Sequence, residues 1–163
     1  MPYLPVAKPS LPAALLVLST LAMVAGTDSD ATTQQLFGTV EGWGVVALSD
    51  GDEFRGCGAG QEQNGREVGI ALRADGSWLL VFWIPTPQGE LPVQLTIGSR
   101  HWDFRATGDG NRISFAPSRR MLDAIRSGGA LTISFEGTRF TAPMTGASDA
   151  LAMVQDCVDH SGG

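Results

Sequence analysis

Thr145-Gly146-Ala147-Ser148-Asp149-Ala150-Leu151-Ala152-Met153-Val154-Gln155-Asp156-Cys157-Val158 is the stretch that decides how the rest of this chain is read. Ala150, Leu151, Val154, Cys157 and Val158 recur at the spacing of one helix face, while Asp149, Asp156 and Asp159 fall elsewhere on the wheel. The spacing predicts an amphipathic α-helix, with Ser148 as its N-cap and Asp149 in the first turn, where the helix dipole favours an acid. The apolar stripe carries Cys157, one of only 2 cysteines in the chain; the other is Cys57, far upstream. The expected architecture is a helical lid held across a β-rich body by a Cys57–Cys157 bond.

Upstream of that helix the pattern is almost entirely of period two. Short β runs are expected at Trp43 to Leu48, Val68 to Leu72, and Trp78 to Ile84. The last of these is apolar at every position, as in a strand buried on both faces, and Pro85 and Pro87 stop it. Val93, Leu95 and Ile97 alternate with polar residues, as do Trp102, Phe104 and Ala106, then Ile113 and Phe115. Leu131 to Phe135 and Arg139 to Met144 complete about eight strands. Ser49-Asp50-Gly51-Asp52, Asn64-Gly65, Asp75-Gly76, Gly108-Asp109-Gly110-Asn111 and Glu136-Gly137 supply the turns. Residues 55–66 hold four glycines and read as a glycine-rich loop around Cys57. Between Ser118 and Ser127 the period changes: Met121, Leu122 and Ile125 share a helix face, and Gly128 is placed at its C-terminal end. The fold class is therefore mostly β with two short helices. An antiparallel sandwich and an open barrel both satisfy the pattern, with the C-terminal helix packed on it.

The first 26 residues have another character. Lys8 gives a weakly basic start, and Leu11 to Ala25 is an apolar run of signal-peptide length followed by small residues. A secretory signal over residues 1–26 is expected; the alternative is an uncleaved membrane anchor, although the run is short for a span and Pro12 interrupts it. Residues 27–40 are polar and read as a linker, 41–158 as a single β-rich domain, and 159–163 as a frayed tail.

Composition narrows the chemistry. Of 163 residues, 17 are acidic and 11 basic, for a formal charge of −6. The basic residues are scattered along the chain, so nucleic acid is not an expected partner, and an anionic membrane surface is disfavoured likewise. Lys8 is the only lysine. Cleavage of the leader would leave no side-chain amine for Schiff-base or Ser–Lys chemistry.

Three constellations compete for the reactive side chains. Cys57 among its glycines could be a nucleophile, with His101 and Asp103 as base and orienter. Cys57, His101, Cys157 and His160 could bind zinc. Two cysteines behind an export signal favour instead a structural disulfide, Cys57–Cys157, which in the chain-entropy model of a loop of roughly 100 residues is worth about 4–5 kcal/mol. No catalytic residue, metal ligand or cofactor is assigned. Trp43, Trp78, Trp83 and Trp102 are the large aromatics; Trp78 and Trp83 have opposite strand parity and point to opposite faces, which makes them the candidate surface-binding aromatics.

Trp43-Gly44-Val45 opening the domain, Cys57 shortly after it, the run from Met121 through Leu131-Thr132-Ile133-Ser134-Phe135, and the closing Gly146-Ala147-Ser148-Asp149-Ala150-Leu151 together resemble the invasion-associated locus B family of small exported Gram-negative proteins. The chain departs from that family's pattern where Val46 and Ala47 follow the opening motif in place of a cysteine, in lacking a mid-chain cysteine pair, and in carrying a cysteine at the end of the last helix. The resemblance implies a secreted, mostly β, non-enzymatic accessory protein with no catalytic residues to transfer. The expected function is thus a periplasmic or secreted binding protein whose partner is another envelope protein. An accessory subunit anchored in the inner membrane by residues 11–26, with a periplasmic β domain, is the alternative; a thiol enzyme using Cys57 stands behind both.

Overall fold

The structure, a computed structural model, describes residues 32–162. The signal or anchor expected over residues 1–26 lies outside them. Among the described residues there are ten strands and two helices: β1 (Thr32–Val40), β2 (Trp43–Asp50), β3 (Glu53–Gln63), β4 (Arg66–Arg73), β5 (Trp78–Trp83), β6 (Gln88–Ile97), β7 (Arg100–Asp109), β8 (Ile113–Phe115), α1 (Arg119–Arg126), β9 (Ala130–Phe135), β10 (Thr138–Pro143) and α2 (Ala147–Ser161). All strands belong to one antiparallel sheet in the order β1-β2-β3-β4-β5-β8-β7-β6-β9-β10, and the sheet is not closed.

The two halves of that sheet share one core. On the inner face of the first half, Val45, Ala59, Ile70, Leu80 and Phe115 form a cross-strand row. In the second half the equivalent row is Trp102, Leu95, Ile133 and Phe140. The sheet folds over far enough for Phe82 of β5 to meet Phe140 of β10 edge-on, with ring centroids 6.3 Å apart. The free edge of β10 is not left bare: Gln61 donates through Nε2 to the carbonyl of Pro143, and Arg66 through Nη1 to that of Arg139.

Helix α2 lies against β1, β2, β3 and β4 and touches α1. Ala147, Ala150, Leu151, Val154 and Cys157 are buried, so the apolar stripe is the packed face, with Val158 half-buried beside it. Its start differs from expectation. Gly146 is the N-cap, with φ +75°, and Ser148 is an exposed residue of the first turn. A side chain at position 146 would run into Glu41, so packing selects the glycine there over the better capping residue two places on. Helix α1 follows the pattern more closely: Ser118 caps it, Met121, Leu122, Ala124 and Ile125 are buried, and Gly128 with φ +75° follows its C-cap Ser127.

Three other expectations are corrected. Residues 32–40 form the edge strand β1 rather than a linker; one face is exposed and the other is only half-buried against α2, and its polar composition does not distinguish it from a loop. Residues 53–63 form strand β3, so Cys57 sits in a paired strand and not in a loop. The glycines let neighbouring backbones close up, and Arg55 is the extra residue of a bulge between the pairs Leu48–Gly56 and Ser49–Phe54. Gly56 has φ +145°, and a Cβ there would strike the carbonyl of Leu72. Finally, α2 continues through His160, whose Nδ1 lies 2.6 Å from the carbonyl of Asp156, so the expected tail at 159–161 is helix.

Candidate functional site

The two cysteines meet. Cys57 of β3 and Cys157 of α2 are disulfide-bonded, with Cα atoms 6.1 Å apart and both side chains fully buried. Each is brought there by its own periodicity: Cys57 alternates inward with Ala59, and Cys157 lies on the stripe of α2. The bond leaves no free thiol among the described residues. Cys57, His101 and Asp103 are therefore not assembled as a nucleophile–base–orienter set; His101 and Asp103 lie exposed on the outer face of β7. Nor do Cys57, His101, Cys157 and His160 converge, and among the described residues no group of three His, Cys, Asp or Glu side chains is placed to hold a metal.

The tryptophans divide between the faces. Trp78 pairs with Leu72 and packs, half-buried, against the core. Trp83 is on the outer face, opposite Glu67, and its ring lies over Gly69, where an added Cβ would come within 2.8 Å of Cζ3. Gly69 is part of an outer row, Gly44–Gly60–Gly69, almost without side chains. Glu67 also pairs with Glu62. Burial, reinforced by the Glu62 carboxylate across the ladder, pushes the Glu67 carboxyl up to about 7.

Two open clefts lie on the other half of the sheet. The first, about 480 Å³, includes Arg139, Ser134, Gln94 and Asp103 in its lining, which form a single row across β10, β9, β6 and β7. The row places a cation at one end and a carboxylate at the other, with neutral hydrogen-bonding groups between. The second, about 440 Å³, is lined by Ser99, Arg100, His101, Trp102 and Arg120. It forms where the β6–β7 turn approaches α1. Along the chain the arginines are scattered, and Arg100 and Arg120 are brought together only by the fold. The one local signal was the Arg119-Arg120 pair at the start of α1, where the dipole disfavours cations and no acid is present.

No protein-family model matches the chain, and no curated protein matches it. Among solved structures, it is similar to the crystal structure of invasion associated protein B from Bartonella henselae, with a TM-score of 0.55 and 16% sequence identity over 78% of this chain and 99% of that one. The likeness is one of fold, and it extends over nearly the whole of that chain.

Proposed function

We propose that this protein is an exported, non-enzymatic accessory protein of the bacterial envelope that works by binding another envelope component. The observation that carries the reading is the buried Cys57–Cys157 bond, which ties up both cysteines of the chain. Such bonds persist in oxidising compartments and are rare in the cytosol. The fold shared with the Bartonella protein supports the same setting, as does the signal-like run from Leu11 to Ala25. Open clefts on a rigid sheet, with both sulfurs engaged in a cross-link, suit recognition better than covalent chemistry.

The test is the intact mass of the protein exported from a Gram-negative host, with and without thiol alkylation under denaturing, non-reducing conditions. The expected result is a mass lacking the leader and no alkyl group. Two alkylated thiols would overturn the reading. A full-length mass recovered with membranes would replace the free exported protein by an anchored subunit.

A further inference from the structure

We propose that the cleft between the β6–β7 turn and α1 is an anion site that takes a phosphate group, with Arg100 and Arg120 as its ligands. Two of its five lining residues are arginines, and none is acidic, in a chain of net charge −6. Of the ten arginines, Arg55, Arg105, Arg112 and Arg126 are each paired with a carboxylate, and the others, the two of the cleft included, are not so paired among the described residues. Arg100 and Arg120 have no such partner among the described residues, and both are exposed. Their guanidinium groups are free to present paired donors to an oxyanion.

The local sequence runs against stability here. Arg119 and Arg120 open α1, where the helix N-terminus is already positive and an acid would be favoured. A rule broken at one place with no compensating contact points to a use for the charge. The helix end and the arginines add to the same positive field. Ser118 accepts from the amide of Met121, which anchors the start of the helix. The β6–β7 turn is tied down as well: the amide of Gly98 donates to the carbonyl of Ala130 at 3.1 Å. Trp102 is half-buried, rooted opposite Leu95 on the inner face, and forms a fixed wall of the cleft. An indole beside an anion pocket suits a phosphate carried on a sugar or a headgroup better than the bare ion.

The experiment uses the exported protein, titrated with inorganic phosphate, glucose 6-phosphate and glucose and followed by backbone and indole amide NMR. Saturable shifts confined to residues around 99–102 and 118–121 are expected for both phosphates, stronger for the sugar phosphate, and none for glucose. In Arg100→Gln/Arg120→Gln, affinity is expected to fall at least tenfold, with the remaining spectrum unchanged; Arg66→Gln, remote from the cleft, should leave it unaltered. Should the double variant lose its fold, Arg120→Gln alone, which alters one exposed side chain, replaces it with the same expectation of weakened binding. Co-sedimentation with phosphatidylglycerol vesicles, set against phosphatidylcholine, assigns the source. Arginine-dependent binding to the former marks a lipid headgroup, and binding of the sugar phosphate alone marks a soluble ligand. Absence of saturable shifts with either phosphate, or binding that survives loss of both arginines, overturns the proposal.

Discussion

The indole Nε1 of Trp43 donates a 2.9 Å hydrogen bond to the backbone carbonyl of Thr145. Trp43 is fully buried at the start of β2, and Thr145 is the last residue before the N-cap of α2. One side chain thus ties the start of β2 to the entrance of the final helix. Trp43→Phe keeps most of the apolar bulk and leaves the carbonyl without its partner. A loss of about 2 kcal/mol is expected, read as a lower urea midpoint with an unchanged slope.

The disulfide acts beside that contact. Cys57→Ala/Cys157→Ala is expected to lower stability by about 2–5 kcal/mol, since it restores the freedom of a long loop in the unfolded chain. Wild-type protein unfolded in the presence of reductant should match the double variant, and reductant should leave the variant unmoved. Equal melting temperatures with and without reductant would contradict a structural role.

Gly146 and Glu41 meet where the β1–β2 turn abuts the start of α2. A Cβ at position 146 would lie 2.5 Å from that of Glu41, and both residues have positive φ, +75° and +45°. Gly146→Ala should destabilise the protein by about 1–3 kcal/mol. Glu41→Gly removes the opposing Cβ and suits the turn's left-handed geometry, so it should recover part of the loss when combined with it. Thermal unfolding of the two single variants and the pair reads this coupling.

Glu67 makes stability depend on pH near neutrality. Its carboxyl titrates at about 7 in the folded protein, above its ordinary 4.5. The folded state therefore holds this proton more tightly than the unfolded one. The resulting stabilisation is full below about pH 4.5 and is lost as pH rises through about 7. Glu67→Gln should flatten the decline between those values and raise stability at pH 8 by on the order of 1–2 kcal/mol, with solvent screening allowed for. Glu62→Gln should shift the titration of Glu67 downward, which carboxyl NMR would read directly.

Local periodicity was enough for most elements. The stripe of α2, the switch to helical spacing after Ser118, and the alternation of Val93, Leu95 and Ile97 each describe a face that must be covered. Their burial follows from the same physics that sets their spacing. Turns at Asn64-Gly65 and Glu136-Gly137 were equally legible, because both positions of each have positive φ. The same test failed for β1 and β3. An edge strand with polar side chains carries no inward signal, and the glycines of β3 serve pairing on both sides rather than a loop. Glu41-Gly42 is the same kind of turn, but with no strand expected before it there was nothing for it to join.

What pattern could not supply is proximity between distant residues. The hydrophobic stripe and the lone cysteine pair sufficed to predict a helix held to a β body, since two thiols leave one intramolecular pairing. Whether the strands made a sandwich or an open barrel depended on strand order. The placement of β8 between β5 and β7 makes a single sheet folded over one core. The same folding brings Arg100 and Arg120 into one cleft, whereas Glu67 meets Glu62 and Trp83 within successive hairpins, through register that turn signals alone do not fix. The charge of the cleft arises from neighbours on different elements, assigned by long-range packing rather than by spacing along the chain, and the shift at Glu67 needs the register of its hairpin and the burial that the packed sheet imposes.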